Sequence, residues 1–195
     1  MLQRILVSLM LLVMSVYAQA QGIDFRLSSE SAEFNYLMKT TTKIGVGGAD
    51  VGMGLFWNEN DDLLANFKGT VSGALTGTNR SVSIGGGIKF VLGKVDRLDD
   101  DSDNEIGSLA IGGKIAYIFP ATTPMSVYVE GFYAPDVTSF ADNKSFTELN
   151  IGFDVEVAAQ SRLYVGYHKM EVDFEDGLSD YELDDNLHVG VQLSF

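Results

Sequence analysis

Alternation of apolar and polar residues with a period of two is the feature that most limits how this chain can fold. In residues 148–157 every odd position is apolar, and every even position is acidic, an amide or glycine. This period is typical of a β-strand whose two faces meet different environments. The pattern recurs in residues 44–57, 63–75, 82–92, 109–119, 125–133, 163–174 and 186–195. In residues 163–174 the apolar parity changes between Tyr167 and Met170, which predicts a β-bulge.

The connections between these segments form two classes that alternate along the chain. One class holds 17 of the 27 acidic residues and comprises residues 58–62, 96–105, 136–142 and 175–185. The other class is short, holds no acidic residue and comprises residues 39–43, 76–80, 120–124 and 158–162. Strands that run alternately up and down would gather the acidic loops at one end and the short turns at the other. This layout is typical of an outer-membrane β-barrel.

The composition argues against several other classes of protein. After residue 22 no apolar run approaches the roughly 18 residues that a membrane-spanning helix needs. The net charge of −14 argues against nucleic-acid binding, which requires a basic surface. The chain has no cysteine, so disulfides, cysteine-based zinc sites and thiol nucleophiles are excluded. A soluble periplasmic β-sandwich also has alternating strands, but it would not explain the sorted connections.

The first 20 residues have the parts of a secretory signal peptide. A basic start at Arg4 precedes an apolar run over residues 5–16, and Ala18-Gln19-Ala20 fits a cleavage site. The apolar run is short for a transmembrane anchor, which is the alternative. We therefore predict a signal peptide at residues 1–20 and a single outer-membrane barrel at residues 21–195. The barrel would reach the outer membrane through the periplasm after signal cleavage.

The C-terminal segment predicts the direction and the number of the strands. A terminal aromatic on an alternating strand resembles the assembly signal of bacterial outer-membrane proteins, here Leu187, Val189, Val191, Leu193 and Phe195. If this strand runs toward the periplasm, counting backwards gives ten strands, with the first hairpin at residues 23–28 and 32–38. These two strands are shorter than the roughly 9–11 residues that a tilted spanning strand needs. Eight strands with an irregular N-terminal segment are therefore the alternative.

Aromatic residues near the predicted strand ends fit the interfacial girdles of a membrane barrel. They are Trp57, Tyr117, Phe119, Tyr133 and Phe174.

Three stretches of the chain share residue patterns with a known family. They are Tyr133-Ala134-Pro135-Asp136-Val137 with Ser139-Phe140, Val165-Gly166-Tyr167-His168-Lys169 with Val172-Asp173-Phe174, and Leu187-His188-Val189-Gly190. Through them the chain after the signal peptide resembles the YfaZ family of small bacterial outer-membrane proteins, also described as porins. The resemblance implies an outer-membrane barrel and supplies no catalytic residue.

The strand parity predicts which side chains face the lumen. The predicted lumen-lining residues are charged or polar, namely Arg26, Asp50, Lys68, Lys89, Lys114, Glu130, Glu148, Asp154, Glu156 and His188. A barrel of eight to ten strands is nearly filled by its side chains, so these charges could pair across the lumen as a plug. Alternatively, the small residues between them could leave a narrow water path that selects ions or small solutes.

A non-enzymatic narrow porin that passes ions or small solutes is the leading functional expectation. The alternatives are a closed barrel with a structural or surface-interaction role, and a lipid-modifying enzyme. Catalysis of the last kind needs a serine-histidine-acid set or an aspartate-histidine pair. The chain has only His168 and His188, and it lacks the G-x-S-x-G element that places a nucleophile.

The acidic connections raise the question of bound cations. Asp99, Asp101 and Asp103 have the spacing that begins an EF-hand loop, but the required glycine and terminal glutamate are replaced by Asn104 and Ala110. We therefore expect no dedicated metal site and no cofactor. The expected partners are outer-membrane lipids, lipopolysaccharide and the barrel-assembly machinery, and no nucleic acid. A solvated anionic surface and bridging by divalent cations to lipopolysaccharide are the two interpretations of the loops.

Overall fold

Ten antiparallel strands form a closed barrel in the computed structural model, which describes residues 21–40, 47–75, 81–96, 104–174 and 181–195. The strands are β1 (Gln21–Ser28), β2 (Ser31–Thr40), β3 (Gly47–Asn58), β4 (Leu63–Ala74), β5 (Val82–Val95), β6 (Asn104–Ile118), β7 (Met125–Ala134), β8 (Asn143–Ala158), β9 (Ser161–Phe174) and β10 (Tyr181–Ser194). Each pairs with its neighbours in sequence, and β1 pairs with β10. The predicted up-and-down barrel of ten strands is confirmed. The predicted signal peptide, residues 1–20, lies outside the described residues.

The N-terminal hairpin is a regular part of the wall. β1 has 8 residues and β2 has 10, so both are longer than the sequence pattern predicted. The Ser28 hydroxyl organises the turn between them by accepting hydrogen bonds from the backbone N–H groups of Glu30 (3.2 Å) and Ser31 (2.8 Å). β1 then closes the barrel through seven residue pairs with β10, from Gly22↔Ser194 to Ser28↔His188. The eight-stranded alternative is therefore wrong.

The two ends of the barrel differ. We call the end that carries residues 29–30, 59–62 and 135–142 the acidic end, and the opposite end, with residues 119–124 and 159–160, the short-turn end. Gln21 and Phe195 lie at the short-turn end, because β1 begins there and β10 finishes there. The connection 135–142 contains a short 3₁₀ helix, Asp136–Thr138. No helix among the described residues is long and apolar enough to cross a membrane.

Several strands extend further toward the acidic end than the sequence predicted. β6 begins at Asn104 and β10 begins at Tyr181, so parts of the predicted acidic connections 96–105 and 175–185 are strand. These extensions place Ile106 and Leu183 inside the barrel, where both side chains are buried. Burial of these apolar side chains offsets the loss of backbone entropy in the longer strands.

The outer face of the barrel is apolar over most of its surface. Isoleucine, valine, leucine and phenylalanine side chains project from it, including Ile88, Ile115 and Val165. Trp57, Tyr117 and Tyr133 are also exposed on this face, as a girdle requires. Phe174 is not, because its side chain is only 3% exposed and lies inside the barrel. The predicted girdle position of Phe174 is therefore wrong.

β9 is continuous, and the predicted bulge at its centre is wrong. Its pairing with β8 has no register shift from Phe146↔Val172 to Glu156↔Arg162. The parity of the apolar residues changes because the apolar side chains change face: Val165 points outward, whereas Met170 is buried inside. The register shifts beside β9 lie instead in β10, between Glu182 and Asp184, and near the two ends of β8, at residues 143–145 and 156–158.

We predict that Gly112→Leu will reduce the fraction of chain that refolds into a barrel. A Cβ at Gly112 would overlap the carbonyl oxygen of Gly131 and the ring of Phe132, and such overpacking costs about 1–3 kcal/mol or more. Gly69→Leu is the matched control, because a Cβ at Gly69 meets nothing within 4 Å. The folded fraction can be measured as the electrophoretic band that shifts on boiling. Equal loss in both variants would contradict the packing argument.

Candidate functional site

A polar chamber occupies the half of the lumen nearer the short-turn end. Its volume is about 390 Å³, and its lining runs from Pro124 and Met125 at that end to Lys89 and Glu148 near the middle of the barrel. The structure places eight of the ten predicted lumen residues along it, namely Arg26, Asp50, Lys68, Lys89, Lys114, Glu130, Glu148 and Asp154. Of the other two, Glu156 lies 3.8 Å from the Arg162 guanidinium, and His188 lies deeper in the barrel.

Ion pairs cross the lumen at the inner end of the chamber. Lys68 and Lys89 are directly opposite each other on β4 and β5, so their like charges repel. Each ammonium reaches a carboxylate three strands away: Lys68 Nζ lies 3.1 Å from Glu130 Oε1 on β7, and Lys89 Nζ lies 2.6 Å from Glu148 Oε2 on β8. Arg26 of β1 is in contact with Glu33 of β2. We call this set of pairs the ion-pair layer.

His168 extends the ion-pair layer to β9 and β10. Its Nδ1 lies 2.7 Å from Asp184 Oδ2, and its Nε2 lies 3.2 Å from Glu148 Oε1. The ring therefore lies between two buried carboxylates, those of Glu148 and Asp184, and its own side chain is only 1% exposed. Carboxylates at such a site need partners, because an unpaired buried charge is very costly.

His188 lies beside this network without joining it. The side chain is 3% exposed, and neither ring nitrogen has a hydrogen-bond partner among the described residues. Its ring packs edge-on against Tyr164 and His168, with centroids 5.7 Å and 6.3 Å away. The structure therefore places His188 in the interior as a packed ring, away from the lining of the chamber.

An apolar layer fills the lumen on the acidic side of the ion-pair layer. It comprises Phe56, Leu64, Val91, Val95, Ile106, Ala110, Phe132, Ala134, Phe146, Met170, Val172, Phe174 and Leu183, all buried. Eight of the ten strands, β3 to β10, contribute to it. Phe132, Phe146 and Met170 each lie two residues along the strand from an inward polar residue, Glu130, Glu148 and His168 respectively. On these three strands, the inward-facing residue that follows the ion-pair layer toward the acidic end therefore belongs to the apolar layer.

The turn between β3 and β4 reaches across the acidic end. Asn58 Nδ2 donates hydrogen bonds to Asp62 Oδ2 (2.8 Å) and to the carbonyl oxygen of Leu183 on β10 (3.0 Å). The Asp62 carboxylate also accepts hydrogen bonds from the backbone N–H of Asp96 (3.0 Å) and the Tyr181 hydroxyl (3.2 Å). Burial raises the pKa of the Asp62 carboxyl, and these hydrogen bonds oppose that shift. The turn thereby connects strands that are not neighbours in the barrel.

Sequence reasoning did not identify the apolar layer, the partners of His168 or the position of Asp184. The signal for all three was the parity change in β9. An inward phase that carries His168 must also carry Met170, Val172 and Phe174, and these side chains need apolar neighbours inside the barrel. A bulge would instead keep these three side chains on the outer face, so the bulge interpretation does not predict the apolar layer.

The described residues contain no group of three or more histidine, aspartate or glutamate side chains that could hold a metal ion. Asp99, Asp101 and Asp103 lie outside the described residues. Bridging of divalent cations by the acidic connections therefore stays a prediction.

The chain matches the sequence profile of one family over almost its whole length. That family is described as YfaZ precursor, and the match covers residues 2–195. The chain is 28% identical to the Outer membrane protein YfaZ of Escherichia coli (strain K12) over 161 residues, which are 80% of this chain and 84% of the relative.

Two solved structures are similar to this chain over most of its length. The NanC porin, in a rhombohedral crystal form, has a TM-score of 0.46 and 11% identity, over 91% of this chain and 100% of that chain. The outer membrane channel DcaP of Acinetobacter baumannii has a TM-score of 0.43 and 14% identity, over 92% of this chain and 60% of that chain.

We predict that Lys89→Met will destabilise the barrel by about 3–5 kcal/mol, because it leaves the buried carboxylate of Glu148 without its ammonium partner. Urea unfolding in lipid vesicles, followed by the fluorescence of Trp57, the single tryptophan, would measure the loss. The matched control is Lys169→Met, which removes a half-exposed pair with Glu171 on the outer face and should cost less than about 1 kcal/mol. Similar losses in both variants would contradict the assigned role of the ion-pair layer.

Proposed function

Because this chain belongs to the YfaZ family and is an outer-membrane β-barrel protein, we propose that it is a barrel closed to solutes on its extracellular side. In barrels of this class the short turns face the periplasm and the longer loops face outward. The acidic end is then extracellular, and the polar chamber opens toward the periplasm. The role that fits this arrangement is a structural or surface-interaction role in the envelope.

The apolar layer is the observation that carries the proposal. Solutes and ions that entered the chamber from the periplasm would meet the cross-lumen pairs of Lys68 and Lys89, and then closely packed side chains from eight strands. A charged or hydrated solute gains no hydrogen bonds in such a layer, so its passage would be very costly. The hydrogen bonds of Asn58 and Asp62 to β10 add a further connection across the same end.

The proposal includes no enzymatic role. His168 and Asp184 do form a close histidine–aspartate pair, but both side chains are buried beneath the apolar layer. In the part of the chain that the structure describes, His188 has no acidic partner within hydrogen-bond distance. We further propose that the outer face contacts membrane lipids and lipopolysaccharide. The barrel-assembly machinery would recognise the terminal residues Leu193 and Phe195, which are exposed on that face.

Narrow porin activity, the leading expectation from the sequence, is the second candidate. The observation that favours it is the chamber itself, whose volume can hold small solutes and whose lining carries charges of both signs. Conduction would require both the ion-pair layer and the apolar layer to rearrange. Under this candidate Lys114→Glu should shift the selectivity of the channel toward cations.

We predict that the wild-type barrel gives no discrete conductance steps in a planar bilayer, because the apolar layer seals the lumen. The triple variant Phe56→Ala, Phe132→Ala and Phe146→Ala hollows that layer and should conduct. The matched control replaces three lipid-facing phenylalanines, Phe34, Phe67 and Phe153, with alanine and should stay silent.

Folding of each variant is checked by the electrophoretic band that shifts on boiling, so that an absence of conductance is counted only for folded barrels. Reproducible steps from the wild-type protein would overturn the closed barrel and support the porin. Steps from the lipid-facing control would show that the conductance comes from loosened barrels and not from the hollowed layer.

A further inference from the structure

We propose that the chamber is a binding site for a small organic anion, one carboxylate on a hydroxylated body, that enters from the periplasm. The volume of about 390 Å³ lies within the range of small-molecule sites, which is roughly 300–1,000 Å³. A ligand can occupy the chamber whether or not the barrel also conducts.

Lys114 is the residue that distinguishes this chamber from a lumen whose charges are all paired. Lys68, Lys89 and Arg162 each have a carboxylate oxygen within 3.1 Å. Lys114 on β6 is exposed to the chamber, and no carboxylate oxygen of the described side chains lies within ion-pair distance of its ammonium. Glu130, which is directly opposite Lys114 on β7, is paired with Lys68 instead.

The Lys114 ammonium is nevertheless held in place. Its Nζ lies 4.0 Å from the centroid of the Tyr128 ring, a cation–π contact that fixes the charge without consuming its hydrogen-bond donors. The Tyr128 ring is itself positioned over Gly152, where a Cβ would meet its atoms at 2.6 Å. The result is a positioned cation with free donors, which is what recognition of a carboxylate requires.

The wall beside Lys114 leaves room for the body of a ligand. Ser83 and Gly85 on β5, Ala116 on β6 and Ser72 on β4 line this part of the chamber, and none has a bulky side chain. Thr70 continues the same wall. The hydroxyl groups of Ser72, Ser83 and Thr70 can each donate and accept hydrogen bonds, so they suit a body that carries hydroxyl groups.

Lys114 is the one cation of the described chamber lining outside an ion pair, so it is the group that can balance one negative charge on a ligand. The chamber lining carries five cationic residues and six acidic ones, and four of the cations are already paired. A second anionic group would therefore meet uncompensated carboxylates. One of these is Asp24 on β1, whose described partners are the Tyr164 hydroxyl at 3.0 Å and the Asn35 amide at 3.5 Å.

The test is calorimetric titration of the refolded wild-type barrel, in a neutral detergent, with gluconate as the probe. We expect saturable binding that weakens as salt is added, because exposed charges are screened. Lys114→Gln should weaken binding at least about tenfold, whereas Lys114→Arg should retain it.

Ala116→Phe, which fills the space beside Lys114, should abolish binding while the boiling-sensitive band shows a folded barrel. Lys144→Gln, which removes an exposed lysine near the acidic end of β8, is the matched control and should bind as the wild type does.

Three other results would overturn the proposal. One is the absence of saturable binding in the folded wild-type protein, and another is unchanged affinity in Lys114→Gln. The third is equal affinity for glucose, which would remove the need for an anion, or for inorganic phosphate, which would remove the need for the hydroxylated body. None of these results depends on the conductance measurement, so failure of the binding site and failure of the closed barrel can be told apart.

Discussion

The hydrocarbon core of a membrane contains no water, so every backbone N–H and C=O group within it needs a partner in the protein. In this chain the requirement is met by closure of the sheet, and the seven residue pairs between β1 and β10 complete that closure. Closure gives every strand one face toward lipid and one face toward a lumen of limited width. That division places apolar side chains such as Ile88 and Val165 outside, and charged side chains such as Lys89 inside.

A single strand can serve two environments along its length, and β9 is the clearest example. Near the short-turn end it presents Leu163 and Val165 to lipid, while Tyr164 faces the chamber. Toward the acidic end the polarity is reversed: Lys169 and Glu171 pair on the outside, and Met170, Val172 and Phe174 are packed inside. This reversal is expected where a barrel wall continues beyond the apolar part of the membrane, because the outside then meets water and the inside becomes a protein core.

The lumen is organised by the cost of burying charge. Lys68 and Lys89 lie side by side, and the small width of the barrel lets each reach a carboxylate three strands away. His168 joins Glu148 to Asp184, so one network of polar contacts connects β5, β8, β9 and β10. Such pairs contribute little net stability, because desolvation offsets their attraction, but loss of one partner is severe. The layer therefore specifies the arrangement of the strands more than it stabilises them.

The sequence alone determined much of this protein. The period of two and the sorted connections predicted an up-and-down barrel of ten strands, with acidic loops at one end, and the parity of Lys68, Lys89 and Glu148 predicted that they face inward. Only the tertiary structure decided which charges meet and where the lumen is filled. Lys89 and Glu148 are 59 residues apart, and Lys68 and Glu130 are 62 apart, so no local period connects them. Their contacts depend on the width and stagger of the closed barrel, which arise from all ten strands together and cannot be derived from any one of them.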